Sequence, residues 1–128
     1  MADRVPRPTD AELAILRVLW ERGPSTVRQV HEVLAGERET GYTTTLKLMQ
    51  LMMEKGLLTR DASSRTHVYA AAVPQDQTQR LLVADLVDRA FGGSAAALVM
   101  QALSARPVTP EQLEQIRQLI KEEEESRK

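Results

Sequence analysis

The chain has no cysteine, which excludes a disulfide framework, a thiolate metal site and a cysteine nucleophile. Aromatic residues are nearly as scarce, with one Trp, two Tyr and one Phe in 128 residues. A core must therefore come from aliphatic side chains, Ala and Met, and such residues favour helices packed on helices. No apolar run approaches the ~20 residues needed to span a bilayer. The N-terminal MADRVPRPTDAE lacks the apolar stretch of a secretory signal, so a cytoplasmic protein without membrane association is expected. An excess of one charge is missing as well: the net charge is −1, which taken alone counts mildly against a nucleic-acid binder. Histidine is limited to His31 and His67, and no HExxH or GxSxG pattern accompanies them. Gly92-Gly93-Ser94 looks like a fragment of a phosphate loop but lacks the Lys-Ser/Thr ending. No enzyme, metal site or cofactor is expected, and His31, beside an apolar helical stripe, reads as a partly buried structural residue.

What is present is concentrated in Tyr42–Tyr69, YTTTLKLMQLMMEKGLLTRDASSRTHVY. It reads as a helix with a threonine-rich first turn, a glycine stop, and a short hairpin with polar and basic residues at its tip. The segments before it complete a module. Residues 1–8, with Pro6 and Pro8, form a loose arm. Thr9-Asp-Ala-Glu12 has the capping-box pattern, and Leu13, Leu16 and Trp20 follow at helical spacing to Gly23-Pro24. Ser25 is the expected cap of a second helix with Val27, Val30 and Leu34 on one face, and Gly36–Gly41 is a polar turn. The third helix is expected over about 43–55, with Gly56 taking a left-handed C-terminal position. Residues 57–60 and 68–72 read as two strands around a wing at about 61–67. Three helices and a hairpin in about 70 residues predict a winged helix-turn-helix over residues 1–73.

On the third helix, Thr45, Leu48, Met49 and Met52 share one face, expected to pack inward. Thr43, Thr44, Leu46, Lys47 and Gln50 lie opposite. Thr43 and Thr44 suit a phosphate at a helix N-terminus; Lys47 can reach a phosphate or a guanine edge, and Gln50 an adenine edge. Leu46 can touch a thymine methyl. In the wing, Arg65 is the first candidate for the minor groove, His67 a weaker one, and Arg60 can reach a phosphate from the strand edge, with an ion pair to Asp61 or Glu54 as the rival role. Ser25 and Thr26 offer a second phosphate contact.

From Pro74 the pattern is helical throughout, which makes the fold class mainly α with a small β-hairpin. Val83, Leu86, Val87, Ala90 and Phe91 keep amphipathic spacing up to Gly92-Gly93. Ser94 caps a short helix that contains Leu98 and runs through Leu103, and Thr109-Pro110-Glu111 opens a last helix with Leu113, Ile116 and Ile120 as its stripe. Residues 74–128 have too little core to stand alone, so a helical dimerisation region is expected, pairing two copies about a two-fold axis. Charge supports pairing. Residues 1–73 hold ten Lys/Arg against nine Asp/Glu and residues 74–128 seven against nine, so one copy alone would hold DNA weakly.

These segments, TDAELAILRVLWERGPSTVRQVHEVL, GYTTTLKLMQLMMEKGLLTRD, RTHVYAA and LLVADLVDRAFGGSAAALVMQAL, resemble the penicillinase-repressor family (BlaI/MecI, with a copper-responsive CopY branch). The resemblance covers nearly the whole chain. It implies a homodimeric repressor on palindromic double-stranded operator DNA, with the family's DNA-reading positions falling on Thr43, Thr44, Leu46 and Lys47. Leu46 departs from the polar or basic residue common there in antibiotic-resistance members. Copper release through a C-terminal cysteine cluster is excluded by composition. Those antibiotic-responsive members are cut by a regulatory protease at an Asn-Phe bond, and the matching place here is Gln101-Ala102. Two rival readings stand beside the repressor: a winged helix that docks a protein, and a winged-helix regulator gated by a small apolar ligand.

Overall fold

A computed structural model of the chain describes residues 7–36 and 40–128. Most of the expected N-terminal arm and the centre of the Gly36–Gly41 turn lie outside the described residues. The element order is α1 (Asp10–Arg22), β1 (Ser25–Thr26), α2 (Val27–Ala35), α3 (Tyr42–Glu54), β2 (Leu58–Asp61), β3 (Val68–Ala71), α4 (Gln75–Ala90), α5 (Ala95–Ala105) and α6 (Pro110–Ser126).

Local chemistry sets each boundary. The Thr9 hydroxyl accepts from the Glu12 amide at 3.2 Å while the Glu12 carboxylate accepts from the Thr9 amide at 2.9 Å. These reciprocal bonds satisfy two otherwise orphaned donors of α1. The cap of α2 corrects the expectation: it is Thr26, not Ser25. Thr26 has Gln29 three residues on, whose side chain returns a bond to the Thr26 amide at 2.9 Å, whereas three residues after Ser25 stands Arg28, which cannot accept one. Ser25 instead lies buried in β1 and donates its hydroxyl to the Gly23 carbonyl at 2.9 Å. Helix α3 starts one residue earlier than expected, at Tyr42, and its N-cap Gly41 provides no side-chain cap. It stops at Gly56, where φ is +85°, a conformation that favours a residue without Cβ.

The sheet runs β1-β3-β2, all antiparallel. Strand β1 was absent from the sequence expectation because two residues carry no alternation; its existence depends on β3, with Ser25 opposite Tyr69 and Thr26 opposite Val68. Across the hairpin Leu58 faces Ala71 and Arg60 faces Tyr69, which leaves residues 62–67 as the wing. The core gathers Ile15, Leu16 and Leu19 of α1, Val30 and Leu34 of α2, Met49 and Met52 of α3, and Leu57, Leu58 and Tyr69 of the hairpin. Thr45, Met49 and Met52 are fully buried and Leu48 is half-buried, so the inward face of α3 is the one its spacing indicates. The Trp20 indole donates to the Val73 carbonyl at 3.0 Å, fixing the end of the hairpin to α1.

A half-buried ion pair joins α1 to the end of α3. Glu12 is 2 % exposed and its carboxylate meets the Lys55 ammonium at 2.7 Å. Burial pushes the Glu12 pKa upward, but the Lys55 hydrogen bond, the Thr9 amide and the Lys55 charge outweigh it and hold the group below its ordinary 4.5. A carboxyl with a lowered folded pKa stabilises fully above its unfolded value, and that contribution fades as pH falls through the folded pKa. Glu12→Gln, which keeps the cap, should therefore cost about 1 kcal/mol at neutral pH and lose less stability than the parent between pH ~6 and ~3. Thermal melts at both pH values check this; equal losses on acidification would remove the pair from the account.

The chain forms two compact units, one ending at Val83 and one comprising Ala84–Lys128. In the second unit, Gly92 and Gly93 both have positive φ and break the chain between α4 and α5. Ser94 caps α5 by accepting from the Ala97 amide at 3.0 Å, and Thr109 caps α6 with Gln112 returning the bond at 3.0 Å. Val87 is buried there, Phe91, Leu98, Leu113 and Ile116 are half-buried, and Leu86, Ala90, Val99, Met100, Leu119 and Ile120 are exposed.

Candidate nucleic-acid interface

Three segments of the first unit converge on one cleft of about 470 Å³, lined by Thr26, Val27 and Arg28 at the start of α2, Tyr42, Leu46 and Gln50 on α3, and Arg60, Arg65, Thr66, His67 and Tyr69 of the hairpin. Each segment is placed by the core beneath it: Val27 and Val30 seat α2, Thr45 and Met49 seat α3, and Tyr69 anchors β3. Of the residues expected from sequence to touch DNA, Thr26, Leu46, Gln50, Arg60, Arg65 and His67 line the cleft, while Thr43, Thr44 and Lys47 are exposed on α3 beside it. Ser25 is not brought in; its hydroxyl is buried and bonded to Gly23. Leu46 is half-buried and packs on the core as well as facing the cleft, so part of its side chain is structural.

The electrostatics of the cleft are one-sided. Three arginines line it and no carboxylate does. Among the described residues none of the three makes an ion pair, so Arg60 takes neither Asp61 nor Glu54 as partner. Asp61 turns to the wing instead: its carboxylate accepts from the Ser63 amide at 2.9 Å, and that hydrogen bond holds its pKa below the usual carboxylate range. Lys55, at the end of α3, is drawn away to Glu12. By contrast, a second cleft of about 490 Å³ between the end of α1 and α2 mixes Arg22 with Glu32.

Arg28 and Tyr42 line the cleft without being among the contacts expected from sequence. The Arg28 guanidinium lies 5.2 Å from the centre of the Tyr42 ring, a cation–π contact of about 0.5–1 kcal/mol at an exposed site. The His31 ring meets Tyr42 edge-on, 5.8 Å between centroids at 85°. One signal in the sequence bears on Arg28. It stands in the first turn of α2, where the helix dipole disfavours a cation and no acidic residue accompanies it.

A helix with an exposed polar face, a preceding helix at its N-terminal end and a hairpin wing beside it, all backed by one small sheet, define a winged helix-turn-helix protein. The solution structure of the DNA-binding domain of the repressor BlaI superposes with a TM-score of 0.51 at 22% identity, over 56% of this chain and 88% of that one. The monomeric form of Bacillus licheniformis BlaI in complex with the blaP half-operator superposes equally well, covering 57% of this chain and 89% of that one at 22% identity, with a TM-score of 0.51. Residues 8–122 match the penicillinase repressor family, and the chain belongs to it. The transcriptional regulator BlaI of Mycobacterium tuberculosis is 36% identical over 99 residues, 75% of this chain and 72% of its own. The penicillinase repressor of Bacillus licheniformis is 19% identical over 125 residues, 98% of both chains. The family is one of transcriptional repressors rather than enzymes.

Proposed function

We propose that this chain is a homodimeric transcriptional repressor that binds palindromic promoter DNA. Membership of the penicillinase repressor family carries the reading, and the acid-free arginine cleft beside the exposed face of α3 supports it. In this reading α3 enters the major groove, with Thr43, Thr44, Leu46, Lys47 and Gln50 toward the duplex. Arg65 and His67 lie along the minor groove beside it, and Arg60 reaches the backbone. The protein performs no chemistry; occupying the promoter blocks transcription.

We divide the chain by function at Val73 and Pro74, although the first compact unit continues through the first half of α4 to Val83. Support for this division is the Trp20–Val73 hydrogen bond and the start of α4 at Gln75. The apolar side chains left exposed on the second unit, Leu86, Met100, Leu119 and Ile120 among them, are the material for pairing with a second copy, together with Val83, Val87, Ala90, Phe91, Leu98, Leu113 and Ile116. Two-fold pairing would set the recognition helices in successive major grooves, about 10 bp apart or a small multiple of that. Relief by proteolysis near Gln101-Ala102 belongs to the same reading. That bond lies inside α5, so a protease would need the helix to open locally first.

Arg65→Ala tests the wing. Binding should weaken about evenly across sequences, and the slope of log K against log salt should fall by about 1 per protomer. An unchanged slope would remove Arg65 from the contacts. Lys47→Ala and Gln50→Ala should instead change which duplexes a binding-site selection returns, and retained preferences would contradict direct readout by these side chains.

A further inference from the structure

We infer that Arg28 is a further DNA-contacting residue, one that grips the sugar–phosphate backbone where the ends of α2 and α3 meet, and that Tyr42 is the residue that positions it. The inference rests on the DNA-binding reading above and adds to it a contact outside the recognition helix and the wing.

Several observations converge on this arginine. A cation in the first turn of a helix opposes the dipole, so Arg28 does nothing for α2, and Thr26 with Gln29 already caps that helix. Among the described residues no carboxylate pairs with it. Its partner is a ring: the guanidinium lies 5.2 Å from the centre of Tyr42, the first residue of α3. Tyr42 is itself braced, since the His31 ring stands edge-on to it at 5.8 Å. His31 Nδ1 is buried with no hydrogen-bond partner among the described residues, so packing rather than polar contact holds that brace.

A guanidinium held over an aromatic ring still has N–H groups to offer phosphate oxygens and loses less rotamer freedom on binding than a mobile one. The location fits a backbone contact. The helix before the recognition helix crosses the backbone in helix-turn-helix docking, and Arg28 lies at its start, in the same cleft as Arg60 and Arg65. The three arginines thus border the cleft from α2, from the strand and from the wing tip, and the duplex backbone is the polyanion that such a border would follow.

The test uses the full chain and a duplex that the parent protein itself selects from a random library, titrated by fluorescence anisotropy across a salt series. Arg28→Ala should weaken binding about 5–10-fold at ~0.1 M salt and lower the salt slope by about 1 per protomer. Arg28→Lys should keep the slope and lose part of the affinity, because an ammonium keeps the charge but not the planar stack. Tyr42→Leu should keep the slope too while losing about 3-fold in affinity, since the charge remains but its placement does not. Arg28 is exposed, so its variants should melt with the parent. If the parent binds and Arg28→Ala matches it in affinity and slope, the contact is overturned while the repressor reading stands. If Tyr42→Leu lowers the slope as much as Arg28→Ala, or changes nothing, the positioning role of Tyr42 is overturned. If the parent selects no duplex at low salt, the DNA-binding reading itself fails and the contact fails with it.

Discussion

Leu86→Glu combined with Ile120→Glu should weaken binding to a selected operator duplex by about 10²-fold or more, with little change in the melting of the winged-helix unit. Leu86 is 44% and Ile120 52% exposed, so each carboxylate is solvated in a lone protomer and folding is spared. In a two-fold interface the same carboxylates would be buried without partners and would face their own symmetry mates, which costs several kcal/mol. The loss in DNA affinity follows from the loss of pairing. Once two DNA-binding units are linked, the second binds at an effective concentration in the millimolar range, worth 10²–10⁴ overall. Sedimentation and anisotropy on the same samples check both halves of the prediction. A variant that remains dimeric and binds as the parent does would show that these helices do not pair the protein.

Tyr69→Ala should be the most damaging change to the DNA-binding unit itself. Tyr69 is 1% exposed and is among the largest fully buried side chains. It sits on β3 between Ser25 of β1 and Arg60 of β2 and also faces the arginine cleft. Removing a buried aromatic ring costs about 3–5 kcal/mol, a large share of the ~5–15 kcal/mol that holds a domain folded. The melting temperature should fall by about 10 °C or more, and DNA affinity should fall with it because the wing loses the strand that carries it. A shift below about 3 °C would mean that β3 is held by something other than this side chain.

What could be read from sequence was the chemistry that acts over three or four residues. Thr9 with Glu12, Thr109 with its proline and acidic first turn, and Gly56 each act within a single turn, so their spacing was enough. The inward face of α3 was legible for the same reason, because Thr45, Leu48, Met49 and Met52 repeat at the helix period. Strand β1 was not: two residues have no period, and only β3, more than forty residues away, makes them a strand. Ser25 and Thr26 both have the chemistry of a cap, and only Thr26 has a glutamine three residues on to return the bond. The charge of the site was not legible either. Glu12 takes Lys55 across 43 residues, and the fold brings Arg28 over Tyr42. A nearly neutral total hid a cleft with three arginines and no acid because charge was summed along the chain and the site is assembled across it.

The central claim is that two copies of this chain act together on one duplex. Its most direct test is the stoichiometry and salt dependence of binding to a duplex selected by this chain, measured by sedimentation and anisotropy from about 0.05 to 0.2 M salt. The expected result is two protomers on each duplex, two half-sites related by a dyad, and affinity that falls steeply along a straight line in log K against log salt. One protomer on each duplex, on a single half-site and with no second copy at saturation, would contradict the account.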